Sequence, residues 1–146
     1  MSSELKAILI GGVLPALLYG VTGILQKMSS EADGGAGMYL VGMGIGTTVV
    51  GAALHLVLSE PPFTARPVSL ALIAGVTFSL GAGLVSVALI RYGAAISQLT
   101  PIYNMNVLIT VVLGLVLLAE YRDLHVARLL GGTLLLVSGA VLVAGA

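Results

Sequence analysis

The chain has 146 residues, 58% of them hydrophobic and 8% charged, with a mean hydropathy of +1.14, which leaves too little polar surface to coat a water-soluble domain. Six basic and six acidic side chains cancel, so the charge gives no argument for nucleic acid or an anionic surface as a partner. Zero cysteines exclude disulfides, thiolate metal sites and cysteine nucleophiles, and His55 and His125 are too far apart for a local metal motif, so neither a metal nor a cofactor is expected.

About 20 apolar residues cross the hydrocarbon layer, and the sequence supplies five such runs, about Lys6 to Leu25, Gly37 to Leu58, Val68 to Ile90, Ala95 to Ala119 and Val126 to Ala144. The expected fold class is therefore an all-α membrane protein of five transmembrane helices, with residues 1–146 forming a single membrane domain. The first run is like a signal-peptide core, but Glu4 and Lys6 make a weak basic leader, which predicts a retained anchor. Five crossings place the termini on opposite sides. Lys6, Arg66, Arg122 and Arg128 then share the N-terminal side against Lys27 and Arg91. This excess predicts a cytoplasmic N-terminus in the cell membrane, and its small size leaves dual insertion open.

Helix one carries two stripes. Gly12, Ala16 and Gly20 form a row of small residues that suits close helix packing. About a quarter-turn away, Pro15, Tyr19, Thr22 and Gln26 fall within roughly 60° of one another and suit a cavity, with Pro15 as a bending point. The bland alternative has Thr22 bonding back to its own helix while Tyr19 or Gln26 reaches the interface. Glu31-Ala32-Asp33-Gly34-Gly35 then breaks the helix. Helix two brings a second packing row, Gly42 and Gly46, and His55 near its end, expected at the membrane interface. Ser59-Glu60-Pro61-Pro62 follows as a break, and Pro67 suits the first turn of helix three. Gly75, Ser79 and Gly83 form its packing row, and Arg91 with Tyr92 forms an interfacial anchor pair. The short break Arg91-Tyr92-Gly93-Ala94 predicts that helices three and four are neighbours.

Helix four is oily but interrupted. From Tyr92 to Ala119 no Asp, Glu, Lys, Arg or His occurs, yet Ser97, Thr100, Pro101 and Asn104 gather on one side at helical spacing, with Asn106 nearly opposite. Pro101 donates no backbone hydrogen bond and frees a carbonyl near Ser97, which predicts a bend. Amides cost free energy in hydrocarbon unless partnered, so Asn104 reads as a substrate contact or as interhelical glue, and Asn106 by the same logic as a subunit contact. Glu120 beside the end of helix four is expected to pair with Arg122 or Arg128, and Asp123 to cap helix five. No Ser/His, Asp/Asp or His/Glu constellation occurs at membrane depth, so an enzyme is not expected.

Gly93-Ala94-Ala95, Leu99-Thr100-Pro101, the run Leu113-Gly114-Leu115-Val116-Leu117-Leu118-Ala119-Glu120, then Leu130-Gly131-Gly132 and Val137-Ser138-Gly139 follow one another in the last half. In order and spacing they resemble the C-terminal part of an EamA-type repeat of the drug/metabolite transporter superfamily. Larger members resemble two such five-helix units in tandem, the second inverted. The resemblance thus implies an antiparallel homodimer, or a pairing with a second half-size subunit, that moves a small molecule across the lipid bilayer. It further implies a cavity lined by helices one, three and four, which selects Tyr19, Thr22, Gln26, Ser97, Thr100 and Asn104, with Tyr103 and Ser86. Pro15 and Pro101 would act as hinges. Unlike the small multidrug exporters of that superfamily, the chain has no acid within helix one, which disfavours cation-for-proton exchange. The expected function is transport of a neutral or zwitterionic metabolite by alternating access. The alternatives are a nontransporting structural or regulatory subunit, or half of a flippase for a lipid-linked substrate.

Overall fold

A computed structural model describes residues 2–122 and 124–144. The described residues are helical, with no strand among them. Five helices are long and apolar enough to cross a membrane: α1 (Leu5–Glu31), α2 (Ala36–Val57), α3 (Ala65–Arg91), α4 (Ile96–Leu117) and α5 (Val126–Ala144). Their apolar side chains point mostly outward, Leu17, Val41, Leu72 and Leu142 among them, and the buried apolar residues are few. A chain that exposes its leucines and valines along every long helix uses lipid as its solvent. This is a multi-pass membrane protein.

The helices fall into two compact units, residues 1–93 and 94–146. In the first, α3 packs against both α1 and α2. The start of α1 is irregular because Pro15 cannot donate. Over Leu9–Val13 the helix widens by one residue per turn, and the Leu14 N–H reaches back to the Leu9 carbonyl. The bend expected at Pro15 is thus absorbed as a wide turn just before it. At its other end α1 runs past Leu25, the expected limit, to Glu31. Lys27 and Glu31, at 3.3 Å, pair along this polar tail, a spacing that supports a helix in water. Asp33 then turns into the left-handed region at φ 56°, and the Gly34 N–H closes on the Ser29 carbonyl at 3.0 Å. That six-residue closure satisfies the last carbonyls of the helix.

The end of α2 repeats the device with Ser59 at φ 50° and the Glu60 N–H on the His55 carbonyl at 3.3 Å. His55 lies near that end, its Nδ1 3.5 Å from Glu60 Oε2 and its ring stacked on Phe63 at 4.7 Å. Pro67 sits in the first turn of α3, where its missing donor costs nothing. Of the small-residue rows, Gly83 has a near neighbour, since a Cβ there would come within 3.3 Å of Leu40 Cδ1. At Gly12, Gly20, Gly42, Gly46 and Gly75 an added Cβ would meet nothing within 4 Å. Gly83→Val is therefore expected to lower stability by about 1–2 kcal/mol through overpacking between α2 and α3. Gly81→Val, in open space, is its control, and thermal unfolding in detergent reads the difference. Equal melting temperatures would remove this contact from the account.

In the second unit α5 packs against both halves of α4, which is divided into Ile96–Tyr103 and Asn106–Leu117. Leu115, Thr133 and Ala140 form the buried seam, and the Thr133 hydroxyl is satisfied by the Leu129 carbonyl at 2.9 Å. After α4, Ala119 takes φ 57° and Glu120–Arg122 makes one tight turn. Among the described residues no ion pair joins Glu120 to Arg122 or Arg128, the pairing that was expected. Its carboxylate instead folds back over Gly114, where a Cβ would come 2.8 Å from Oε2. The Asp123 cap lies outside the described residues.

Candidate functional site

α4 is broken within its span, between Tyr103 and Asn106. Pro101 removes the donor that would have served the Ser97 carbonyl. The Asn104 N–H still reaches Thr100 O at 3.1 Å, but beyond it the pattern shortens. Met105 N–H donates to Ile102 O at 3.1 Å, Val107 N–H to Asn104 O at 3.1 Å and Leu108 N–H to Met105 O at 3.0 Å. These three-residue bonds wind the chain more tightly than an α-helix and let it restart as the second half of α4.

The tight turn rearranges the polar side chains. In an uninterrupted α-helix Asn104 and Asn106 would lie roughly 160° apart; three residues per turn brings them to roughly 120°. Both line one cleft of ≈ 520 Å³ in this unit, together with Pro101 and Met105, and with Gly139 and Ala140 on the α5 side. Asn106 was expected to point nearly opposite Asn104; the two nonetheless border the same cleft. Among the described residues neither asparagine side chain has a hydrogen-bond partner. Both asparagines are exposed along the chain's surface at this cleft, and an amide within a membrane span favours a polar ligand or another polar helix face over lipid.

The other residues selected on α4 do not line this cleft. The Thr100 hydroxyl bonds Ile96 O at 2.7 Å and lies 3.2 Å from the Tyr103 hydroxyl, so those two meet each other. Ser97 is exposed.

Within the first unit the residues selected on α1 separate. Tyr19 is 73% exposed. Thr22 bonds back to the Leu18 carbonyl at 2.9 Å, and it borders a smaller cleft of ≈ 340 Å³ between α1 and α2 with Ser29, Met38, Tyr39 and Gly42. Gln26 and Ser86 are 7% and 2% exposed and are joined, with Gln26 Nε2 donating to Ser86 Oγ at 2.9 Å and to the Ala82 carbonyl at 3.0 Å. They form a polar clasp between α1 and α3. Sequence reasoning did not select Ser29, Tyr39 or Met105. The pairing of α1 with α2 that brings the first two together leaves no periodic signal in either helix.

The chemistry available is that of neutral hydrogen bonding. Among the described residues no group of three or more His, Cys, Asp or Glu gathers to hold a metal, and the α4 cleft is lined by amides and apolar groups. A family model described as sugar transport protein matches residues 9–146, which takes in all five long helices. No curated protein and no solved structure matches the chain.

Proposed function

The chain belongs to the sugar transport protein family, a family of membrane transporters, and on that premise we propose that it carries a small, neutral, polyhydroxylated solute across the cell membrane by alternating access. The observation that carries this reading is the broken α4, whose two unpartnered amides share a cleft. Amide groups donate and accept at once, which matches a sugar hydroxyl, and an uncharged lining suits an uncharged cargo. A zwitterionic metabolite is the other cargo such a lining would take. Pro15 and Pro101, each next to an irregular turn, are the proposed bending points.

A five-helix chain is proposed to be one half of the carrier, completed by an inverted copy or by a second half-size subunit, as its resemblance to EamA-type repeats implies. The glycine rows of α1 and α2, which face open space, are the faces such a partner would fill. An N-terminus in the cytoplasm, or copies inserted both ways, follows from the basic residues.

The test is uptake of a panel of labelled sugars and amino acids into liposomes holding the purified protein. Asn104→Leu, nearly equal in volume, is expected to cut flux at least tenfold, because the leucine removes a hydrogen-bonding group that the solute uses. Flux that leucine leaves unchanged would take Asn104 out of the solute path. The second reading, a nontransporting structural or regulatory subunit, is favoured by the Gln26–Ser86 clasp, a polar stripe bonded within the chain. It predicts no flux for any solute and a partner protein that co-purifies with the chain from native membranes.

A further inference from the structure

We infer that Gly139 of α5 sets the upper size of the solute that the α4 cleft admits; the inference rests on the carrier reading above. Gly139 belongs to the wall that α5 gives to the cleft, on the same space as Asn104 and Asn106. A Cβ built there meets nothing within 4 Å. Its neighbour Ala140 is 5% exposed and lies in the seam that holds α5 to α4. The backbone at 139 is thus anchored while the space in front of it stays empty. A side chain placed there grows into the cleft instead of into packed atoms, which separates the effect on cargo size from an effect on folding. An open glycine at a fixed wall leaves the amides reachable by a bulky, ring-shaped solute. Each added carbon would shorten that reach.

The experiment is a series, Gly139→Ala, Gly139→Val and Gly139→Phe, assayed in liposomes with erythritol, D-glucose and maltose, three neutral polyhydroxylated solutes of rising size. Relative to erythritol, the largest solute carried by the unaltered protein is expected to slow at least tenfold in the valine and phenylalanine variants, and less in the alanine variant. Leu135→Phe, at a position 76% exposed and outside the cleft lining, is expected to leave the ratio unchanged. Because the chain has no cysteine of its own, Gly139→Cys supplies a second reading in a conservative variant. A membrane-impermeant methanethiosulfonate is expected to modify it, and the largest carried solute to slow that modification.

Flux with the same size limit across the series overturns the inference and leaves the carrier reading standing. So does a cysteine at 139 that the reagent never reaches. Flux for none of the three solutes overturns this inference, and with the amino acids of the wider panel also unmoved it overturns the carrier reading as well.

Discussion

Pro101→Ala is expected to make the protein more stable and a poorer carrier. The substitution restores an N–H that can serve the Ser97 carbonyl and removes the ring that crowds that carbonyl, so the first half of α4 regains a regular turn. A proline inside a helix costs about 3 kcal/mol relative to alanine. Part of that cost is already relieved here by the tight turn at 104–108, so a gain of about 1–2 kcal/mol is the realistic expectation. Straightening α4 would also turn Asn106 back toward the far side of the helix and divide the amide pair. Sugar flux in liposomes is therefore expected to fall at least tenfold while the melting temperature in detergent rises. A variant that melts lower, or that melts higher and transports as before, would disconnect the break from transport.

Gln26→Leu is expected to have the largest effect on stability in the first unit. Its Nε2 group makes two hydrogen bonds, to Ser86 Oγ and Ala82 O, and both side chains are buried. Interhelical hydrogen bonds in membrane proteins average about 0.6 kcal/mol and reach about 1.7 kcal/mol. Losing the pair and stranding a buried hydroxyl should thus cost about 1–3 kcal/mol. Ser86→Ala alone should cost less, because Gln26 keeps its bond to the carbonyl. The double variant should be less destabilised than the sum of the singles, since both remove the same bond. Thermal unfolding of the four proteins measures this cycle. An additive result would deny the clasp, and normal stability with lost flux in Gln26→Leu would make Gln26 a solute contact.

The five spans were legible because nothing but lipid accommodates runs such as Val68 to Ile90, and composition alone reveals that. Helix ends were less so. The first apolar run was expected to stop near Leu25, yet the helix continues to Glu31 with Lys27 and Glu31 paired along it, and the caps at Asp33 and Ser59 use left-handed residues that are not glycine. The site was partly legible. Pro101 and Asn104 stood out as polar or rigid residues in an oily helix, and both border the cleft. Counting 100° per residue assumes an unbroken helix, and the break lies between the two asparagines, so their sharing of one cleft left no sign in the spacing. Gln26 and Ser86 were selected as cavity residues with no hint of their contact. Two positions 60 residues apart share no local pattern, and only the packing of α1 against α3 brings them within reach.

The lengths of α1 and α3 carry a consequence of their own. At 27 residues each they extend about 40 Å, against a hydrocarbon thickness of about 30 Å. The Gln26–Ser86 clasp joins them within their last two turns, so neither can tilt to take up its surplus length without the other. Pinned together at that end, the two helices take up the mismatch as a pair and carry Lys27, Glu31 and Arg91 with them.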